Sequence, residues 1–209
     1  MTFVKICGIT RLEDALLAAD LGARAVGFVF WPGSPRFIDP FRARAIAALL
    51  PASVAPVGVF VNQSLEYVEG VAGLVRLGAI QLHGDESPEY YRRVTRPIVK
   101  SVPVGPSFGA AAVDSLPNHV TILLDAHDPE RRGGTGRRID WPAARAVAAC
   151  RRTILSGGLS AENIAEAIAA VLPFGVDVSS GVESSPGRKD PRRLRAFFEA
   201  LARTVEASA

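Results

Sequence analysis

TILSGGLS (residues 153–160) and VDVSSGVE (residues 176–183) share one pattern: a short apolar, largely β-branched run, a glycine-centred turn, and then a helical pattern or a further turn. A third glycine turn, GGTG, lies upstream at residues 133–136. Glycine at such turns lets backbone N–H groups come close to a ligand, and successive N–H groups beside a helix N-terminus form an anion site. Two such turns late in a chain of alternating strands and helices sit where a closed (β/α)8 barrel holds phosphate. The pair therefore predicts a barrel and a phosphorylated small-molecule ligand together.

Working outward from these turns, the same alternation covers the whole chain. Strand-like runs fall at residues 3–7, 25–30, 56–61, 79–83, 98–102, 121–125, 153–156 and 175–179, eight in all. Between them, apolar residues recur at helical spacing over 12–21, 41–50, 65–77, 88–94, 143–150, 161–172 and 191–205. A fifth helix, at 108–116, has the poorest pattern. Thr10, Ser64, Ser87, Ser160 and Asp190 stand where helix N-caps are expected, and Gly22 and Gly78 where helices close. Strict alternation implies a parallel sheet with right-handed crossovers. Eight units of about 26 residues close as a single compact TIM barrel spanning residues 1–209. An open doubly wound sheet is the alternative; it is disfavoured because the first βα turn lacks GxGxxG and the glycine turns fall late. The stretch 127–138 is the longest irregular one and reads as a functional βα loop.

Composition narrows the setting. With 48% apolar and 22% charged residues in 209, the chain can bury a full core. No apolar run approaches the length of a membrane span, and the chain opens on FVKICGI without a basic-then-apolar leader. Its two cysteines, Cys7 and Cys150, have neither disulfide nor metal-ligand spacing, so a reduced, cytoplasmic setting is expected. Cys150 reads as a core residue on the apolar face of a helix. A net charge of +3 spread over scattered arginines suits an anionic substrate and does not suggest nucleic acid or a membrane surface.

Active sites of such barrels lie at the C-terminal ends of the strands. The candidates there are Cys7, Arg36, Asn62, His83 with Asp85, Asp125, and the glycine turns. Cys7 is either a base with a lowered pKa or a small buried hydrophobe. Asp125 is either a general acid or an ordinary strand-end carboxylate. His83 is a substrate contact or a structural hydrogen-bonding group. Asp177 faces the barrel interior or only neighbouring backbone. Trp31 and Trp141 stack on an aromatic ring or simply pack.

KICGIT at residues 5–10, GFVF with PGSPR ending at Arg36, QLHGDE at 81–86, LLDA at 123–126, GGTG followed by DW, LSGGL with EN, and DVSSGVE with PGRKD together resemble the phosphoribosylanthranilate isomerases of tryptophan biosynthesis. The motifs run in order from the first strand to the last helix. The resemblance implies an Amadori rearrangement of N-(5-phosphoribosyl)anthranilate to the 1-deoxyribulose phosphate, with Cys7 as general base and Asp125 as general acid. It places Arg36 on the anthranilate carboxylate, a planar fork that lysine does not reproduce. His83 and Asp177 join the substrate site. Backbone near Gly157, Gly158, Ser180 and Gly181 holds the phosphate, and Gly134 and Thr135 complete that end. No metal or cofactor is implied, because the iminium formed on ring opening is itself the electron sink. A monomer and a homodimer are both compatible with the family. Two rivals remain: a histidine-pathway isomerase, which calls for an aspartate on the first strand, and a catalytically silent phosphate-binding barrel.

Overall fold

The computed structural model describes residues 2–105, 108–126 and 139–206. Eight parallel strands close into one barrel in sequence order: β1 (Phe3–Cys7), β2 (Ala25–Val29), β3 (Ala55–Phe60), β4 (Ala79–Leu82), β5 (Ile98–Val104), β6 (Thr121–Ala126), β7 (Thr153–Leu155) and β8 (Gly175–Val178). The helices α1 (Leu12–Asp20), α2 (Pro40–Ala47), α3 (Leu65–Val75), α4 (Pro88–Arg93), α5 (Trp141–Ala148), α6 (Ile164–Val171) and α7 (Pro191–Glu206) lie between and after the strands. The weakly patterned stretch at 108–116 forms only a 3-10 turn, Ala110–Val113, of which Val113 alone is buried.

Both faces of the strands are covered, as parallel sheets require. Ile6, Phe28, Phe60, Ile80, Ile122, Leu124, Leu155 and Val176 belong to the main apolar core. The alternate residues form smaller clusters inside the barrel: Phe3, Val99, Leu123 and Ile154 in one, Cys7, Val29, Val59 and Trp31 in another.

The helix boundaries follow local chemistry, not always that expected. Ser64 and Ser87 cap α3 and α4 by accepting from Tyr67 N and Tyr90 N, and Asp190 accepts from Arg192 N and Arg193 N at the start of α7. Thr10 does not cap α1; its hydroxyl donates to Gly187 O. Ser160 lies ahead of a turn, and Asn163 precedes α6. Asp39 and Asp140 are caps that were not anticipated, each just before a proline-bearing first turn. Gly22 follows α1 at φ +106°, but α3 is closed by Arg76 in the left-handed region, with Gly78 donating to Pro56 O beyond it. Cys150 is exposed just past α5, so it is not a core residue. A short antiparallel hairpin, β9 (Glu183–Ser185) with β10 (Arg188–Lys189), follows β8 and has no counterpart in the expected pattern.

Candidate active site

Because side chains alternate along a strand, the C-terminal mouth receives Cys7 from β1, Val29 from β2, Val59 from β3, Gln81 from β4, Asp125 from β6 and Asp177 from β8. With Trp31, Arg36, His83 and the turns after β7 and β8, they line one cavity of about 390 Å3, a size suited to a small ligand.

Cys7 ends β1 opposite Gly27 of β2. A Cβ at Gly27 would lie 2.8 Å from Cys7 Sγ and 3.1 Å from Lys5 Nζ, so the glycine is what leaves both groups room inside the barrel. Lys5 is 1% exposed and donates to Asp177 Oδ1 at 2.9 Å. The two are register partners across the β1–β8 seam that closes the barrel. Burial pushes the Cys7 thiol up, with the Lys5 ammonium pulling the other way. Burial also pulls Lys5 down, but Asp177 and Cys7 outweigh it and hold the ammonium above its ordinary range.

On the opposite wall Asp125 is buried, and its Oδ1 accepts from Ala126 N at 2.9 Å. Its Oδ2 lies 3.5 Å from His83 Nε2, which is also 3.3 Å from Ser101 Oγ. Gln81 Nε2 is 3.0 Å from His83 Nδ1. With the Gln81 amide donating to Nδ1, the neutral imidazole carries its proton on Nε2, facing Ser101 and Asp125.

Arg36 crosses over Gly8, where φ is +75° and a Cβ would meet Arg36 Cδ at 2.5 Å. Its Nε and Nη2 donate to the Glu183 carboxylate at 3.0 and 2.7 Å, while Nη1 has no acceptor among the described residues. Lys189 Nζ also donates to Glu183 Oε1, at 2.9 Å, and to the carbonyls of Cys7 and Ser179. Burial alone would raise Glu183; hydrogen bonds from Arg36 and Lys189 reverse this and hold it below the usual carboxylate range.

The two glycine turns interlock. Gly157 and Gly158 have φ of +89° and +66°, backbone that favours glycine. Asn163 staples this turn, donating to Gly158 O at 2.8 Å and accepting from Ser160 N at 3.0 Å. A Cβ at Gly181 would lie 1.9 Å from Leu159 O. Gly181 is thus where the second turn rests on the first, and Ser180, not Gly181, lines the cavity. Gly134 and Thr135, with His127 and the rest of that loop, lie outside the described residues. Among the described residues no group of three or more His, Cys, Asp or Glu is arranged for a metal, and no helix is long and apolar enough to cross a membrane.

The family model for N-(5'-phosphoribosyl)anthranilate isomerase matches residues 4–200. The chain belongs to the phosphoribosylanthranilate isomerase family. A relative named N-(5'-phosphoribosyl)anthranilate isomerase, from Citrifermentans bemidjiense, is 49% identical over 197 residues, covering 93% of this chain and 94% of its own. The crystal structure of the Thermus thermophilus phosphoribosyl anthranilate isomerase superposes with a TM-score of 0.89 at 43% identity, covering 97% of this chain and 99% of that one. A further isomerase structure was solved in complex with reduced 1-(o-carboxyphenylamino)-1-deoxyribulose 5-phosphate. It has a TM-score of 0.85 at 42% identity and covers 97% and 99% of the two chains.

Within this isomerase fold, Cys7, Arg36, His83, Asp125, Asp177, Gly157, Gly158 and Ser180 all reach the cavity. The sequence reading missed Gln81, Lys5, Glu183 and Lys189. Gln81 and Lys5 carried a legible signal, since they sit two residues before His83 and Cys7 and so share their face. The partners of Glu183 and Lys189 could be found only after the chain had folded. Gln81 Oε1 and Ser179 Oγ, both on the cavity wall, are buried without a partner among the described residues.

Proposed function

We propose that this chain catalyses the Amadori rearrangement of N-(5-phosphoribosyl)anthranilate to 1-(2-carboxyphenylamino)-1-deoxyribulose 5-phosphate in tryptophan biosynthesis. The observation that carries the reading is the convergence of Cys7 and Asp125 on one cavity that also holds a guanidinium and the paired glycine turns. Protonated Asp125 delivers its proton to the furanose ring oxygen; the C–O bond breaks and an iminium forms. The iminium acidifies the adjacent sugar carbon. Cys7 takes that carbon's proton as the thiolate, leaving an enolamine that tautomerises to the aminoketose. Every atom of the substrate is kept, and no electrons leave it.

The remaining residues orient the substrate. Arg36 turns its Nη1 edge to the anthranilate carboxylate while Glu183 holds the other edge. Backbone N–H groups around Gly157, Gly158 and Ser180 take the phosphate, a reading supported by the left-handed backbone of the first turn. The unpartnered Gln81 Oε1 and Ser179 Oγ are suited to sugar hydroxyls.

The test is the loss of anthranilate-type fluorescence when the protein meets freshly prepared phosphoribosylanthranilate. Rapid decay in the wild type is expected, with about a hundredfold or greater loss of rate in Cys7→Ala and Asp125→Asn. Decay at the wild-type rate in both variants would remove these two residues from the chemistry. A folded wild type that produces no decay would overturn the isomerase assignment.

A further inference from the structure

A thiolate is required of Cys7 by the reaction proposed above, yet the sulfur lies where charge is costly. It is 9% exposed and packed by Val29, Val59 and Trp31. We propose that Lys5 is a positioning residue for Cys7: its ammonium, seated inside the barrel between the Asp177 carboxylate and the Cys7 sulfur, is the countercharge against which the thiolate forms. This deepens the isomerase reading and rests on it only for the reaction the thiolate serves.

The geometry singles out Lys5 among the charges around the sulfur. Lys5 and Cys7 are two residues apart on β1 and point to the same face. Both converge on the space left by Gly27, within 3.1 and 2.8 Å of where its Cβ would be. The other charged or titratable groups nearby are Asp177 from β8, Lys189 from β10 with Glu183 from β9, Asp125 and His83 across the cavity, and Arg36 over Gly8. Lys189 is cationic and close, but its three N–H bonds are taken by Cys7 O, Ser179 O and Glu183 Oε1. It meets Cys7 at the backbone. Lys5 gives one hydrogen bond, to Asp177 Oδ1, and its ammonium shares with the Cys7 sulfur the space that Gly27 leaves open. Its charge is therefore available to the sulfur when the thiol proton leaves. A cation at this range favours the thiolate, and removing it leaves burial unopposed.

The experiment reads the sulfur directly and needs no substrate. Cys150→Ser leaves Cys7 as the only thiol, and the rate of its alkylation by iodoacetamide is followed against pH. Lys5→Met is expected to move the midpoint up by about one pH unit or more, with alkylation near neutrality slowed about tenfold or more. Lys5→Arg, which keeps the charge, should stay near wild type. If Lys5→Met fails to fold because Asp177 is left unpaired, Lys5→Met/Asp177→Asn removes both charges, and its midpoint should also lie above wild type. In the unmodified chain, the 15N resonance of the Lys5 ammonium should shift with the same midpoint as Cys7 and lose that step in Cys7→Ser. An unmoved alkylation midpoint in a folded Lys5 variant, or a Lys5 resonance blind to Cys7, would reduce Lys5 to a salt-bridge partner of Asp177. The two readings fail separately. A shifted midpoint in a protein without isomerase turnover sinks the reaction and keeps the Lys5–Cys7 coupling, whereas turnover with an unmoved midpoint does the reverse.

Discussion

At the residue scale, the site is a set of charges whose neighbours decide what each can do. Cys7 and Asp125 could be picked out because each ends a strand, and strand ends are where a barrel displays its chemistry. The state of each group could not be read that way. Arg36 illustrates the gap: its loop position records no protein partner, whereas two of its nitrogens are committed to Glu183, 147 residues away. That commitment fixes the plane of the fork before any ligand arrives. Arg36→Lys is accordingly expected to raise KM by about tenfold or more with a smaller change in kcat. It loses a charge-assisted hydrogen bond of ~1.5–3 kcal/mol along with the clamp on Glu183. Steady-state kinetics with the phosphoribosylated substrate separates the two parameters; a loss confined to kcat would show that Arg36 acts on the chemical step instead.

At the scale of single elements, the glycines divide into those the fold needs and those it tolerates. Gly181 must lack a side chain because the turn after β8 lies directly on Leu159 O, a backbone atom that cannot swing aside. Gly181→Ala should cost about 1–3 kcal/mol or more in urea unfolding. Gly70 and Gly73 lie in α3 with nothing within 4 Å of their missing Cβ. Gly70→Ala and Gly73→Ala should each stabilise by about 0.5–1 kcal/mol, since alanine restricts the unfolded chain and suits a helix. A Gly181→Ala protein as stable as wild type would mean the two turns can part without loss. Strand and helix positions were legible because periodicity is local. The caps were less so: Thr10 and Ser160 have the right chemistry, but the chain around them bends to other partners, Gly187 O in one case and a turn before Asn163 in the other.

At the scale of the whole molecule, the two ends of the chain are fastened together around Glu183. The β9–β10 hairpin is tied to the start of the chain by Lys189 Nζ on Cys7 O, by Lys189 N on Asp14 Oδ2 and by Thr10 on Gly187 O, while Glu183 holds both Lys189 and Arg36. The native state keeps Glu183 below its unfolded value, near 4.3. A depressed carboxyl contributes stability that is fully present above the unfolded value and is lost as pH falls through the lower native one. Urea midpoints should therefore decline in that acid window. Glu183→Gln should lower stability near neutrality, leaving Lys189 and Arg36 short of an anion, and should flatten the acid decline. An acid slope identical to wild type in this variant would place the proton uptake elsewhere.

What the amino-acid sequence determined by itself was the alternation of strands and helices, the glycine turns after β7 and β8, and the strand-end positions of Cys7, His83 and Asp125. These rest on residue type and short-range spacing, and neither depends on how the ends of the chain meet. Only the tertiary structure decided the pairings that give those residues their chemistry. Lys5 finds Asp177 across 172 residues because closure of the barrel lays β8 beside β1 in register. Arg36 and Lys189 find Glu183 because a short hairpin folds back over the mouth. Charges buried at such a seam are stabilised by the groups that closure brings against them, and no local pattern in the chain records which groups those will be.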